Sequence, residues 1–212
     1  MEGKVLIYTS NNENKLKETI DHILSMELQP VVIDDGSTDN TKEILKGYSD
    51  SIDVLYFDEK RGFDATMLSG FRHILRGTNA KIIITMNIET DDKFYIQLLL
   101  ENYKLHKKDL YILNRVKSKL YIASKVFNSV FKFLSKLIYT FDAQDHLSTF
   151  ALFKTGILKK HVETMSPMAK FILIKIYLEA AKDQDIKYEW LPIDEDKKDD
   201  DVNYLLSIGA LF

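Results

Sequence analysis

An acidic turn near position 35 holds the residues whose types and spacing are best suited to chemistry. Asp34 and Asp35 stand side by side directly after the apolar run Val31 to Ile33. Such a run predicts a buried strand, and an open α/β sheet presents polar groups to a ligand at the carboxyl ends of its strands. Adjacent carboxylates can accept hydrogen bonds from the N–H and O–H groups of a ligand. The pattern therefore predicts a ligand-binding crevice at this turn.

The residues that follow the acidic pair predict how the turn closes. Gly36 permits a tight turn, and Ser37 or Asp39 can cap a helix that begins near Thr41. Capping is the role that we expect for Asp39. An alternative interpretation is that the acidic pair itself only caps this turn and helix, as acidic residues often do.

Strands and helices alternate along the first half of the chain and must position this turn. The predicted strands are Lys4 to Thr9, Val31 to Ile33, Ile52 to Phe57, Lys81 to Met86 and Leu110 to Leu113. The predicted helices are Asn14 to Met26, a segment through Ile44 and Leu45, Ala65 to Leu75, and Phe94 to Tyr103. This alternation predicts an α/β fold with a mainly parallel sheet flanked by helices.

The composition limits the class of protein. The 212 residues, 45% of them hydrophobic, are enough for one domain with a sizeable core. Because the net charge is only −3, we expect no nucleic-acid partner. The chain has no Cys and does not begin with a secretory signal pattern, so we expect a cytoplasmic protein without disulfides or thiolate metal sites. No apolar run reaches the roughly 18 residues that a membrane span needs.

Five segments resemble, in order along the chain, the motifs of the family 2 glycosyltransferases, inverting GT-A enzymes that use nucleotide sugars. The acidic turn resembles the family signature VDDGSxDxT. The other segments and the motifs that they resemble are Val5 to Asn12 (VVIPTYNE), Arg61 to Phe63 (xxGxxxA), Tyr111 to Arg115 (VVxGSR) and Glu189 to Ile193 (xEVPI). In the first of these, Thr9 and Asn11 match the family, whereas Tyr8 and Asn12 depart from it.

The resemblance implies a single Rossmann-like GT-A domain over residues 1–212, with a nucleotide-sugar half at 1–115 and an acceptor half at 116–212. It implies transfer of a sugar from a GDP- or UDP-sugar donor to a polyprenol phosphate or a glycan. The branch that the chain resembles most contains the dolichol- and polyprenol-phosphate mannose synthase-like enzymes. The residues implied in nucleotide binding are Thr9, Asn11, Asp34, Asp35, Ser37, Arg61 and Gly62.

The resemblance also implies a Mg²⁺ or Mn²⁺ ion held against the diphosphate. The family's DAD motif after the fourth strand reads Asn87-Ile88-Glu89 in this chain. Carboxylate and amide oxygens are hard ligands that suit such ions, so the predicted metal ligands are Asn87, Glu89 and Asp91. Alternatively, Asp91 and its neighbour Asp92 cap the helix that follows.

The acceptor residues follow from two further motifs. Arg115 matches a family arginine, and Lys117 and Ser148 complete the predicted acceptor site. The family motif DxxSGFR reads Asp145 to Ala151, with Ala151 in place of a phosphate-binding arginine. A lipid phosphate is already anionic, whereas a sugar hydroxyl needs a general base, for which Asp145 is the candidate. The alternative is that Asp145 is a helix cap or a loop carboxylate.

A basic amphipathic helix is predicted at about residues 119–141. Lys125, Lys132 and Lys136 lie on one face, opposite a wide apolar surface. Such a helix can rest at a lipid headgroup boundary, which predicts a peripheral membrane contact. The alternative is that its apolar surface packs against the protein or a second copy.

Two other classes of protein compete with an active transferase. The Asn87-Ile88-Glu89 sequence and the missing arginine also fit a degenerate nucleotide-binding or scaffold protein with the same fold. A phosphoacceptor receiver domain or a dinucleotide-dependent oxidoreductase is disfavoured. The acidic pair follows the second strand rather than the first, and no GxGxxG opens the first helix.

Overall fold

The computed structural model describes residues 2–77, 79–89, 93–115, 129, 148–169 and 171–193, without the side chains of 114, 115 and 193. The strands in these ranges are β1 (Gly3–Thr9), β2 (Gln29–Asp35), β3 (Asp53–Phe57), β4 (Ile82–Asn87), β5 (Leu110–Arg115), β6 (Ala151–Lys154) and β7 (Tyr188–Ile193). The helices in the same ranges are α1 (Glu13–Ser25), α2 (Thr41–Lys46), α3 (Phe63–Gly77), α4 (Tyr95–His106), α5 (Thr155–Val162) and α6 (Ile172–Lys182).

The chain divides into two compact units, and the first comprises Met1–Lys93 and Phe153–Ile172. Its sheet contains four parallel strands in the order β3-β2-β1-β4. In the pairing register, Thr9 lies opposite Asp34 and Tyr8 lies opposite Asn87. The carboxyl ends of these strands therefore reach the same edge of the sheet, where the loops that carry the predicted site begin.

Close packing of α3 on the sheet fixes one wall of the first unit. Val31, Val32 and Ile33 are fully buried, as expected of a central strand covered on both faces. Gly70 of α3 approaches this layer so closely that a Cβ atom there would lie 2.1 Å from Ile33 Cδ1. A glycine at this helix position therefore lets α3 lie directly on β1 and β2.

The second unit comprises Phe94–Leu152 and Leu173–Phe212. In its described part, β5 and β7 form a parallel pair, from Leu110 opposite Tyr188 to Arg115 opposite Ile193. The buried Tyr177 of α6 donates its hydroxyl hydrogen to the Ser148 carbonyl at 3.0 Å and packs edge-on against Trp190. Apolar packing with a few satisfied polar groups thus builds this unit.

The structure confirms the predicted α/β fold with a mainly parallel sheet flanked by helices. Each predicted strand and helix in the first half has a counterpart, and the late strand is β7. The predicted amphipathic helix at about 119–141 lies outside the described residues, apart from the isolated residue 129. None of the helices in the described ranges is both long enough and apolar enough to span a membrane. The boundaries of a single GT-A domain stay a prediction.

Candidate nucleotide and metal site

Hydrogen bonds join the loop after β1 to the acidic turn after β2. The Asn11 N–H donates to Ser37 Oγ at 2.9 Å, and the Thr38 N–H donates to Asn11 Oδ1 at 2.8 Å. Asn11 adopts a left-handed backbone with φ of 56°, a conformation that Asn tolerates better than most residues. Asn11 and Ser37, both predicted nucleotide ligands, therefore hold two loops of the site together.

Asp39 caps both helices that follow these loops. Its Oδ1 accepts the Thr41 N–H at 3.0 Å, at the start of α2, and its Oδ2 accepts the Glu13 N–H at 3.2 Å, at the start of α1. Partial burial disfavours the carboxylate, yet these hydrogen bonds outweigh it and lower the pKa of Asp39. The prediction that Asp39 acts as a cap is confirmed.

Both oxygens of Asp35 are occupied by donors from within the first unit. Oδ1 accepts the Arg61 N–H at 2.7 Å and the Thr66 hydroxyl at 3.0 Å. Oδ2 accepts the Gly62 N–H and the Tyr8 hydroxyl, each at 3.0 Å. A carboxylate has about four acceptor positions, so the described contacts use the full capacity of this fully buried side chain. Asp35 thus fixes the turn that joins β3 to α3.

Asp34 differs from its neighbour because one of its oxygens has no partner among the described residues. Oδ1 accepts the Ser37 N–H at 3.1 Å, whereas the buried Oδ2 accepts no hydrogen bond from the part of the chain that the structure describes. The hydroxyl of Thr9, opposite Asp34 in the register, is also buried and has no partner within the described ranges. Burial raises the pKa of the Asp34 carboxyl, although the bond from Ser37 partly lowers it. Thr9 and Asp34 thus retain polar capacity that a ligand group or a water molecule could fill.

The tight turn at Gly36 brings the acidic turn against the loop after β3. Gly36 has a φ of +67°, and a Cβ atom there would lie 2.7 Å from the Lys60 nitrogen. A side chain at this position would therefore clash with the backbone as well as strain the turn. Beyond Lys60, the exposed Arg61 places its guanidinium carbon 4.1 Å from the centre of the Phe57 ring. The predicted ligands Arg61 and Gly62 thus lie on a loop that the acidic turn holds in place.

The turn after β4 contains two of the predicted metal ligands. Asn87 Oδ1 accepts the Glu89 N–H at 3.0 Å, and Lys15 Nζ donates to the Glu89 carbonyl at 3.1 Å. The Glu89 side chain is exposed. One amide and one carboxylate match the hard oxygen ligands that Mg²⁺ and Mn²⁺ prefer, so these residues fit such an ion in kind. Within the described ranges no three His, Asp or Glu side chains cluster as a metal site, and Asp91 lies outside those ranges.

Most of the predicted acceptor residues lie outside the described part of the chain. These are Asp145, Lys117 and the side chain of Arg115. Ser148 is described, and it is buried with its hydroxyl donating to the Phe150 carbonyl at 3.3 Å. The acceptor site therefore stays a prediction.

Two residues of the Asp35 network were not predicted as site residues. Tyr8 was noted only as a departure from a motif, and Thr66 lies on a helical face that otherwise reads as apolar packing. A polar residue among the buried positions of α3 was the available signal for Thr66. For Tyr8, the signal was a hydroxyl-bearing side chain one residue before the end of β1.

A match to a family sequence model shows which protein family the chain belongs to. The model described as glycosyl transferase family 2 matches residues 4–162. The chain belongs to this family. The match includes the acidic turn, the Asp35 network and the Asn87-Ile88-Glu89 turn. A search of curated proteins found no match.

Solved structures share the fold of this family 2 chain at low sequence identity. The S. aureus TarS fragment 1–349 has a TM-score of 0.57 and 14% identity, over 100% of this chain and 66% of that one. A second similar structure is glucosyl-3-phosphoglycerate synthase from Mycobacterium tuberculosis, in complex with Mn²⁺, UDP and glucosyl-3-phosphoglycerate. Its TM-score is 0.62 at 15% identity, and the match covers 96% of this chain and 75% of that one. The chain spans slightly less than two thirds of the TarS fragment and 39% of a longer TarS structure. These likenesses establish the GT-A fold.

Proposed function

We propose that this chain transfers a sugar from a nucleoside diphosphate sugar, bound at the carboxyl edge of the first unit's sheet, to an acceptor. The observation that carries the proposal is the organisation of the acidic turn. Asp35 accepts four hydrogen bonds, two from the loop after β3, one from Tyr8 of β1 and one from Thr66 of α3. Asp34 and Thr9 meanwhile keep hydrogen-bonding atoms that no described residue fills. A preorganised polar edge of this kind suits a ligand with many hydrogen-bonding groups.

In this proposal the nucleoside binds near Thr9 and Asp34. A carboxylate oxygen accepts a hydrogen bond from a base N–H or a ribose hydroxyl, and the Thr9 hydroxyl can donate or accept one. Asn11, Ser37 and Asp35 hold the surrounding loops through the bonds described above. Arg61, exposed at the edge of this region, contributes a positive charge for the diphosphate. Bound UDP in TarS and in the mycobacterial synthase supports a uridine nucleotide as the first donor to test.

Asn87 and Glu89 would hold a Mg²⁺ or Mn²⁺ ion, with Asp91 as a third proposed ligand. When bound, such an ion supplies positive charge that stabilises the diphosphate as it leaves. Mn²⁺ accompanies UDP in the mycobacterial synthase, which supports a metal requirement here. Lys15, whose ammonium group is bonded to the Glu89 carbonyl, adds a cation of the protein's own at the same turn.

The acceptor oxygen attacks the anomeric carbon of the sugar while the bond from that carbon to the diphosphate breaks, with inversion. A polyprenol phosphate brings an anionic oxygen and loses no proton, so the protein needs mainly to position it with Arg115, Lys117 and Ser148. A glycan hydroxyl must give up its proton, which Asp145 would take as general base. The proposed contact of residues 119–141 with a membrane surface favours the polyprenol phosphate.

A second candidate function is nucleotide binding without transfer. The observation that favours it is Asn87, whose neutral amide stands where the family has a carboxylate and whose Oδ1 already accepts the Glu89 N–H. A weaker ligand set would bind a divalent ion less tightly. Such a protein would bind a nucleotide but would not turn over its sugar conjugate.

Release of nucleoside diphosphate tests the two candidates. The protein is incubated with UDP-glucose, UDP-N-acetylglucosamine or GDP-mannose, with Mn²⁺, and with either a polyprenol phosphate in detergent or an oligosaccharide. We expect release that depends on one donor and one acceptor and is reduced at least about tenfold by Glu89→Ala, since that variant loses a metal ligand. Nucleotide binding without release would support the binding module. Folded protein that neither binds a nucleotide nor releases nucleoside diphosphate would contradict both candidate functions.

A further inference from the structure

Tyr8 lies between the acidic turn and the predicted metal turn, and we propose that it is a positioning residue that links them. It is the second-last residue of β1, and only 6% of the residue's surface is exposed. Its hydroxyl hydrogen is already donated to Asp35, so the role that we infer passes through its neighbours. The inference rests on the proposed function, because it assigns Tyr8 to the nucleotide and metal site.

The side chain of Tyr8 supports the acidic turn and the loop after β3. Its hydroxyl donates to Asp35 Oδ2 at 3.0 Å, and its ring meets the Phe63 ring edge-on, with the centroids 5.2 Å apart. Asp35 Oδ2 also accepts the Gly62 N–H. Tyr8 therefore fixes the carboxylate that orders the loop and also contacts the first residue of α3.

The backbone of Tyr8 supports the predicted metal turn. Its carbonyl accepts the Ile88 N–H at 3.2 Å, and Tyr8 lies opposite Asn87 in the pairing of β1 with β4. A shift of Tyr8 would therefore move Ile88, which lies between the predicted ligands Asn87 and Glu89. Among the described residues, the two turns thus meet at one strand position.

The hydroxyl of Tyr8 stays a donor over the whole working pH range. Burial raises its pKa well above the ordinary value, and the charge of Asp35 and the hydrogen bond to it raise it further. The hydroxyl therefore does not act as an acid or a base near neutral pH. A hydrogen bond from a neutral hydroxyl to a buried carboxylate is among the stronger ones in proteins, which is what a positioning contact requires.

Hydrogen exchange in the free protein tests the positioning claim without any ligand. We compare wild type, Tyr8→Phe and Tyr111→Phe. Tyr111 is a matched control because it is a fully buried tyrosine of the second unit, its hydroxyl donates to the Asn102 carbonyl, and burial raises its pKa to about 12. We expect the Arg61, Gly62 and Ile88 amides to exchange at least about tenfold faster in Tyr8→Phe alone, since one hydrogen bond to a charged group is lost. Unchanged exchange at these amides would overturn the proposal.

UDP affinity then tests whether positioning matters for the site. We expect Tyr8→Phe to bind UDP about tenfold more weakly than wild type and to lose most of the Mn²⁺ enhancement, while Tyr111→Phe matches wild type. Each variant loses one buried hydrogen bond and should melt at a lower temperature than wild type, so a purely structural role predicts no specific loss of UDP binding in Tyr8→Phe. If wild type binds UDP and Tyr8→Phe binds it equally tightly, the inference about Tyr8 is overturned and the proposed function is not. Wild type that binds no nucleotide would overturn the proposed function, and the exchange result would still decide the positioning claim.

Discussion

Asp34 and Asp35 are adjacent in the chain but differ in how their oxygens are used. Asp35 is saturated by four protein donors, whereas Asp34 Oδ2 has no donor in the described part of the chain. A buried carboxylate oxygen without a donor costs free energy, and proteins tolerate such costs mainly where a function requires them. We therefore expect Asp34 to reduce the stability of the free protein in exchange for ligand binding.

The substitution Asp34→Asn should stabilise the free protein at neutral pH by roughly 1 kcal/mol, because it removes a buried charge. Burial raises the pKa of Asp34 in the folded state, so the folded state holds this proton more tightly than the unfolded state does. Asp34 thus favours folding below the ordinary aspartate pKa, and this contribution is lost as the pH rises through the raised pKa. Urea unfolding at neutral and acidic pH measures the difference.

The control for this substitution is Asp50→Asn at an exposed position after α2, which should change little. The gain from Asp34→Asn should shrink toward zero in acid, where wild-type Asp34 is also neutral. A variant that is less stable than wild type at neutral pH would contradict the interpretation that burial of the Asp34 carboxylate destabilises the free protein.

At the residue scale, the sequence placed Asp34 and Asp35 at one edge of the sheet but did not predict which of their oxygen atoms the protein itself uses. The pairing of Asp34 and Asp35 after a buried strand was enough to place both at the carboxyl edge. Their different roles depend on Arg61, Gly62 and Tyr8, which are far away in the chain and reach Asp35 only after folding. Contacts of that kind leave no local pattern.

At the scale of elements, the close approach of α3 to the sheet is a testable feature. Gly70→Ala would place a methyl group 2.1 Å from Ile33 Cδ1 and 2.6 Å from Leu6 Cδ1, so the helix must move or the core must repack. We expect a loss of about 2 kcal/mol in unfolding free energy, typical of overpacking. Gly156→Ala in α5 is the matched control, because a Cβ atom there meets nothing within 4 Å. Equal stability of the two variants in urea would contradict the described packing.

The elements of the first half were predicted, whereas β6, α5 and α6 were not. The strands and helices of the first half alternate in pattern, which placed β1 to β5 and α1 to α4. The strand β6 has only four residues, too few to show an alternation. The helix α6 has exposed Lys175, Glu179 and Lys182 at helical spacing opposite a buried apolar face, so its periodicity could have predicted it.

At the scale of the whole molecule, two units each form their own packed structure in the described residues. The first unit holds the acidic turn, the loop after β3 and the predicted metal turn on the carboxyl edge of one parallel sheet. The motif order along the chain was enough to predict the family, since the family model matches residues 4–162. Donor and acceptor choice depends on the shape of a pocket, which no motif specifies.

Calorimetric titration of the whole chain with UDP and with GDP, each with and without Mn²⁺, tests the nucleotide site most directly. We predict binding at one site to one of the two nucleotides, strengthened by Mn²⁺ and weakened at least about tenfold by Asp34→Ala, which removes the carboxylate with a free acceptor. Tyr111→Phe should bind as wild type does. Folded wild-type protein that binds neither nucleotide, with or without the metal, would contradict the proposal of a nucleotide-sugar site at this edge.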